Sequence, residues 1–122
     1  MKLFVYGTLK SGCCNHHILT NVIGNQKPIY GISTERYPMY KGAQYFPYLE
    51  DQIGYGNNIN GEVYEINEKH LPHLDYFEGV PNLYKRGYID INTDNEIVKC
   101  FCYFRAKETD VPFDDLISEW IE

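Results

Sequence analysis

Between Gln26 and Leu49 the chain carries Pro28, Gly31, Pro38, Gly42 and Pro47, so no run there is long enough for a regular helix. Six aromatic residues sit among these breakers, a composition that suits short strands separated by bends. This stretch suits strands and bends better than a helix and makes a sheet-based fold the starting expectation. The remaining segments are consistent with it. Residues 2 to 6 read as a strand that ends at Gly7, residues 59 to 66 as a second, and Tyr84 to Ile91 and Ile97 to Phe104 as two more around the turn Asn92-Thr93-Asp94-Asn95. Asp51 to Asn60 is rich in Gly and Asn and reads as an exposed turn region.

Helical signals are short. Ile18, Leu19 and Val22 give one apolar face to residues 14 to 22. Asn67 is placed to cap a helix whose stripe includes Leu71 and Leu74 and which stops near Gly79, with Pro72 inside it as an expected kink. Leu116, Ile117, Trp120 and Ile121 recur at helical spacing in Asp114 to Ile121, which predicts a tail helix packed outside the sheet. The sum is an α+β fold: a small, mainly antiparallel β-barrel of five to seven strands with a few short helices, in one domain spanning residues 1 to 122.

The net charge of −6, with Lys and Arg scattered along the chain, gives no clustered cationic surface for nucleic acid. No segment is apolar for long enough to span a bilayer, and the N-terminus lacks the apolar core of a signal peptide, so a cytoplasmic protein is expected. Four cysteines in such a chain read as reduced thiols. Cys100 and Cys102, two apart in a strand, should share one face.

Two local features could carry chemistry. In Phe4-Val5-Tyr6-Gly7-Thr8-Leu9-Lys10 a strand breaks at a glycine, whose freedom would let successive backbone N–H groups point outward as an anion-binding nest. In Leu74-Asp75-Tyr76-Phe77-Glu78-Gly79 two carboxylates lie three residues apart among aromatics at a helix end, where desolvation would raise a pKa toward neutrality. An ordinary turn and two solvated surface acids are the plain alternatives. Tyr84 and Arg86, alternating on a strand after Glu78, suggest a structural or substrate-orienting role for at least one of them, a surface arginine being the plain alternative. Other constellations are weaker. Cys13, Cys14, His16 and His17, or His70 with His73, or Cys100 with Cys102, lack the spacing of a structural zinc site, so no metal is expected. A thiolate nucleophile at Cys13 or Cys14 needs a histidine partner that adjacency alone does not supply. A barrel with 12 tyrosines could also bind a small molecule without turning it over.

Taken together, Val5-Tyr6-Gly7-Thr8-Leu9-Lys10, Gly61-Glu62-Val63-Tyr64, and Leu74-Asp75-Tyr76-Phe77-Glu78-Gly79 with Tyr84-Lys85-Arg86 resemble, in this order, the γ-glutamylcyclotransferase-like family across residues 3 to 105. Asn15-His16, Tyr37-Pro38-Met39 and Phe46-Pro47-Tyr48-Leu49 are similar, more narrowly, to its γ-glutamylamine cyclotransferase branch. Pro72 and the vicinal Cys13-Cys14 depart from the pattern. The resemblance implies a small barrel in which Tyr6, Gly7, Thr8 and Leu9 hold a γ-glutamyl substrate and Glu78 is the acid/base, with Tyr84 and Arg86 nearby. It implies release of 5-oxoproline without a cofactor, by a monomer or weak dimer whose partner is the small-molecule substrate.

Overall fold

The structure is a computed structural model that describes residues 1–42, 46–107 and 115–122. Among these residues the elements run β1 (Lys2–Val5), α1 (His16–Ile23), β2 (Ile29–Tyr37), β3 (Met39–Lys41), β4 (Pro47–Leu49), β5 (Asn57–Glu65), a 3-10 turn (Glu68–His70), α2 (Leu71–Glu78), β6 (Tyr84–Thr93) and β7 (Glu96–Arg105). Five strands close into a barrel in the order β1-β5-β2-β6-β7, while β3 and β4 form a separate two-stranded ribbon. Every neighbouring pair in the barrel is antiparallel except β1 with β7. Strand direction cannot alternate all the way round a ring of five, so one parallel pair is the least that closure allows.

Alternation along the strands divides the apolar residues between two cores. Phe4 on β1 joins Ile59, Val63, Ile89, Ile91, Cys100, Cys102 and Phe104 inside the barrel. Leu3 and Val5, on the other face of the same strand, pack with Leu19 of α1 and with Leu71 and Leu74 of α2. Cys100 and Cys102 thus do share a face, and both are fully buried. Gly31 is where β2 passes closest to β6: a Cβ there would lie 2.4 Å from Cγ2 of Ile91. No helix among the described residues is long and apolar enough to cross a membrane.

Several boundaries differ from the sequence expectation for identifiable reasons. The Asn-rich segment joins β5 from Asn57 onward, because β2 has an irregularity between Ile32 and Arg36 that the Asn58 amide fills, donating to the carbonyls of Ser33 (2.9 Å) and Thr34 (3.3 Å). The β6–β7 hairpin is tighter than expected, with Thr93 paired to Glu96 across the two-residue turn Asp94-Asn95. Asn67 caps the 3-10 turn, accepting from the Lys69 N–H at 3.1 Å. That turn places Pro72 in the first turn of α2, where a missing N–H costs nothing, so the expected kink is absent.

The tail helix is also absent: residues 115–122 form no helix, and Asp114 lies outside the described residues. The segment is instead laid along the barrel. The Ile117 N–H donates to the Met39 carbonyl (2.9 Å), and the Ser118 carbonyl accepts from the Asn60 N–H (2.8 Å). Trp120 is buried. Backbone bonds to neighbouring strands satisfy this segment and seat its apolar residues without helical turns.

Candidate active site

At the end of β1 the chain turns through Tyr6 to Lys10, all buried. Local hydrogen bonds fix this loop against α1. The Asn15 N–H donates to the Thr8 carbonyl (3.0 Å), Asn15 Nδ2 to Thr8 Oγ1 (3.1 Å), and His16 Nδ1 to the Leu9 carbonyl (2.8 Å). The Lys10 N–H closes a turn onto the Gly7 carbonyl at 3.1 Å. Gly7 serves proximity and does not adopt the left-handed backbone expected of a nest: a Cβ there would stand 2.6 Å from Cγ of Pro47. Among the described residues, the N–H groups of Gly7, Thr8 and Leu9 donate to no protein acceptor.

Glu78 closes α2. Gly79 follows with φ 68°, and the N–H groups of Gly79 and Val80 return to the carbonyls of Tyr76 (3.2 Å) and Asp75 (3.0 Å). This cap ends the helix with Glu78 facing a cavity of about 450 Å³, which Tyr6, Gly7, Thr8 and Leu9 also line. The rest of the wall is apolar or aromatic: Phe46, Pro47, Tyr48, Phe77, Leu83 and Tyr84 contribute to it. No described residue donates a hydrogen bond to the Glu78 carboxyl, and burial pushes its pKa up to about 8. The cavity therefore offers a single unbonded carboxyl and, on the loop, three unclaimed backbone donors.

Tyr84 begins β6, lines the cavity, and donates its hydroxyl to the Pro47 carbonyl at 3.0 Å, which ties the β3–β4 ribbon to the barrel. Arg86, expected beside the substrate, stands outside the cavity lining, with Nε 2.9 Å from Oδ1 of Asp75. The same Asp75 oxygen accepts from the Tyr103 hydroxyl (2.7 Å), and Tyr6 donates to the Tyr103 carbonyl. Asp75 and Glu78 differ in just this respect, the first bonded and the second bare.

Sequence reasoning had not assigned Phe46, Pro47, Tyr48 and Asn15 to the site. Their signal was a Pro-aromatic cluster and a polar residue at a helix start, neither specific without the fold. It also missed a role for Glu62, a charge in the middle of an otherwise apolar strand. The competing chemistries gain no geometry. Burial pushes the Cys13 and Cys14 thiols up, and Glu122 nearby raises them further, which disfavours a thiolate. Among the described residues no group of three or more His, Cys, Asp or Glu side chains could hold a metal.

The closed barrel thus brings one unbonded carboxyl and a loop with three free backbone donors to the wall of a single cavity. The chain belongs to the enzyme family described as "Gamma-glutamyl cyclotransferase, AIG2-like", which it matches over residues 3–121. It is 42% identical over 106 residues to a putative γ-glutamylcyclotransferase of Drosophila melanogaster, covering 84% of this chain and 68% of that protein. It is 34% identical over 119 residues to the γ-glutamylaminecyclotransferase of Homo sapiens, covering 85% and 78%. The crystal structure of an AIG2-like protein of Mus musculus superposes with a TM-score of 0.81 at 31% identity, over 89% of this chain and 79% of that one.

Proposed function

We propose that this protein cyclises γ-glutamyl amines, releasing 5-oxoproline and a free amine. The observation that carries the reading is the Glu78 carboxyl: unbonded among the described residues, raised to about 8, and lining one cavity with the Tyr6 to Leu9 loop. The free N–H groups of Gly7, Thr8 and Leu9 suit the glutamyl α-carboxylate or the oxyanion that forms at the γ-carbonyl. The apolar wall of Phe46, Pro47, Phe77 and Leu83 is open to the amine substituent.

In the reaction so proposed, the substrate folds so that its α-nitrogen lies against its own γ-carbonyl, which is a positioning task for the cavity. The incoming α-ammonium favours the carboxylate form of Glu78 by opposite charge. Glu78 takes a proton from that ammonium, and the freed lone pair attacks the γ-carbon to close a five-membered ring. The proton held by Glu78 then passes to the amide nitrogen, whose bond to the γ-carbon breaks. The ring nitrogen gives up its second proton, so both protons lost by the α-nitrogen end on the departing ammonium and Glu78 returns to its initial state. A carboxyl raised to about 8 is a stronger base than an ordinary glutamate, so taking the α-ammonium proton is less steeply uphill.

The test is 5-oxoproline release from γ-glutamyl alkylamines, measured from pH 6 to 10. Ionisation of free Glu78 is required, so kcat/KM should climb as pH rises through about 8. A rate already flat at pH 6 would show that no group of raised pKa acts as the base, and absence of 5-oxoproline with every γ-glutamyl amine tried would overturn the reading.

A further inference from the structure

Glu62 sits in β5 directly opposite Val5, the last residue of β1, and therefore level with the start of the Tyr6 to Lys10 loop. Its side chain reaches the residue at which that loop ends. Oε1 accepts from the Ser11 N–H and Oε2 from the Ser11 hydroxyl, each at 2.7 Å, and the Tyr64 hydroxyl bonds Oε1 at 2.8 Å. Glu62 is only 3% exposed, and no cation pairs with it among the described residues. A carboxylate buried without a counter-charge is held by these three neutral donors alone. The strand pairing at Val5 and the forked bond at Ser11 thus join the two ends of the loop through one residue, while the N–H groups of Gly7, Thr8 and Leu9 lie between them.

We propose that Glu62 is a positioning residue for the substrate: by closing the neck of the loop it fixes the direction of those three N–H groups, and hence the seat of the glutamyl end. The inference rests on the reading that this loop binds a γ-glutamyl compound. The alternative is a tie that merely stabilises the barrel. The two differ in what they do to KM, since a misdirected loop weakens binding in the molecules that remain folded, whereas a weakened barrel lowers the number of folded molecules and leaves KM alone.

The geometry also supplies a variant that separates shape from charge. In Glu62→Gln, Oε1 still accepts from the Ser11 N–H and the Tyr64 hydroxyl, and the amide NH₂ donates to the Ser11 hydroxyl, which rotates to accept. Glu62→Ala removes all three bonds, and Ser11→Ala removes only one. Steady-state kinetics with γ-glutamylbutylamine, alongside the folded fraction from circular dichroism, should give a KM raised about 10- to 100-fold in Glu62→Ala with kcat within about threefold. Ser11→Ala should raise KM about three- to tenfold and add nothing to Glu62→Ala in the double variant, and Glu62→Gln should stay within about threefold of wild type. A folded Glu62→Ala with unchanged KM overturns the proposal, as does a loss confined to kcat that tracks the folded fraction. If Glu62→Ala does not fold, an unchanged KM in Ser11→Ala overturns it. A wild-type protein that turns over γ-glutamylbutylamine while these variants keep its KM condemns this inference alone, and one that turns over no γ-glutamyl amine condemns the parent reading with it.

Discussion

The Tyr6 to Lys10 loop meets a glutamate at its neck and another across the cavity. At the neck, Glu62 takes hydrogen bonds from Ser11 N–H, Ser11 hydroxyl and Tyr64 hydroxyl. Across the cavity, Glu78 takes none among the described residues, and burial alone raises it to about 8. Glu62 is buried and Glu78 half-buried in the cavity wall, and the supply of donors separates them further. Three hydrogen bonds hold Glu62 as a fixed acceptor that shapes the backbone. Desolvation without donors leaves Glu78 able to gain and lose a proton near neutrality, the condition for acid/base work.

The largest effect should come from removing the proton site at Glu78 while keeping its shape. Glu78→Gln should lower kcat/KM for 5-oxoproline release by about 10³-fold or more, at the upper part of the range for general acid/base groups, with an unchanged circular dichroism spectrum. Near-normal turnover would show that the bare carboxyl is not the chemical group and would dissolve the contrast with Glu62.

The same variant sharpens the contrast through stability. The Glu78 pKa is raised from an ordinary 4.5 to about 8 in the folded protein, so the folded state binds the extra proton between those values. Wild-type stability from this group is whole below pH 4.5 and is lost as pH rises through about 8. The full linkage corresponds to roughly 4–5 kcal/mol, and water in the cavity brings the expectation to about 2–3 kcal/mol. Urea denaturation should find Glu78→Gln equal to wild type at pH 4 and more stable by about that amount at pH 9. Equal stability at pH 9 would mean that the carboxyl is well solvated.

Gly7 probes the wall between the two glutamates. A methyl group at this position would meet Pro47 at 2.6 Å and push the ribbon away from the loop. Gly7→Ala should raise KM about tenfold, with a stability cost of about 1–3 kcal/mol from overpacking. An unchanged KM would place the substrate away from this wall.

How much of this was legible in the sequence follows the range over which each signal acts. The barrel strands could be read because their apolar residues and turn formers are local, and the resemblance of three short motifs put Glu78 and the Tyr6 to Leu9 loop forward together. Glu62 stood inside one of those motifs yet had no assigned role, since its partner Ser11 is 51 positions away and only strand pairing brings them together. The tail failed for the same reason in reverse: a helical spacing of Leu116, Ile117, Trp120 and Ile121 was outweighed by hydrogen bonds to Met39 and Asn60 that lie far off in sequence. Gly7 was correctly expected to be special, but for conformational freedom, whereas the reason is the approach of Pro47 across the cavity wall.

The smallest effect is expected at Asp75, three residues before Glu78 on the same helix and satisfied in the manner of Glu62. Its Oδ1 accepts from Tyr103 at 2.7 Å and from Arg86 at 2.9 Å, with the Asp75 and Arg86 side chains 23% and 34% exposed. In Asp75→Asn the amide oxygen can accept both bonds, so the last turn of α2 and the aim of Glu78 should persist. What disappears is the charge of a partly solvated ion pair, worth about 0–1 kcal/mol. Asp75→Asn should therefore keep kcat/KM within about fivefold of wild type and retain the same rise with pH, because the titrating group is untouched. Arg86→Ala should behave alike, since Arg86 lies outside the cavity lining and its guanidinium pairs with Asp75. A pH profile that moves in either variant would mean that this pair tunes Glu78 electrostatically. A dead Asp75→Asn beside a live Glu78→Gln would reverse the assignment, making the bonded carboxylate the chemical group and the bare one a spectator.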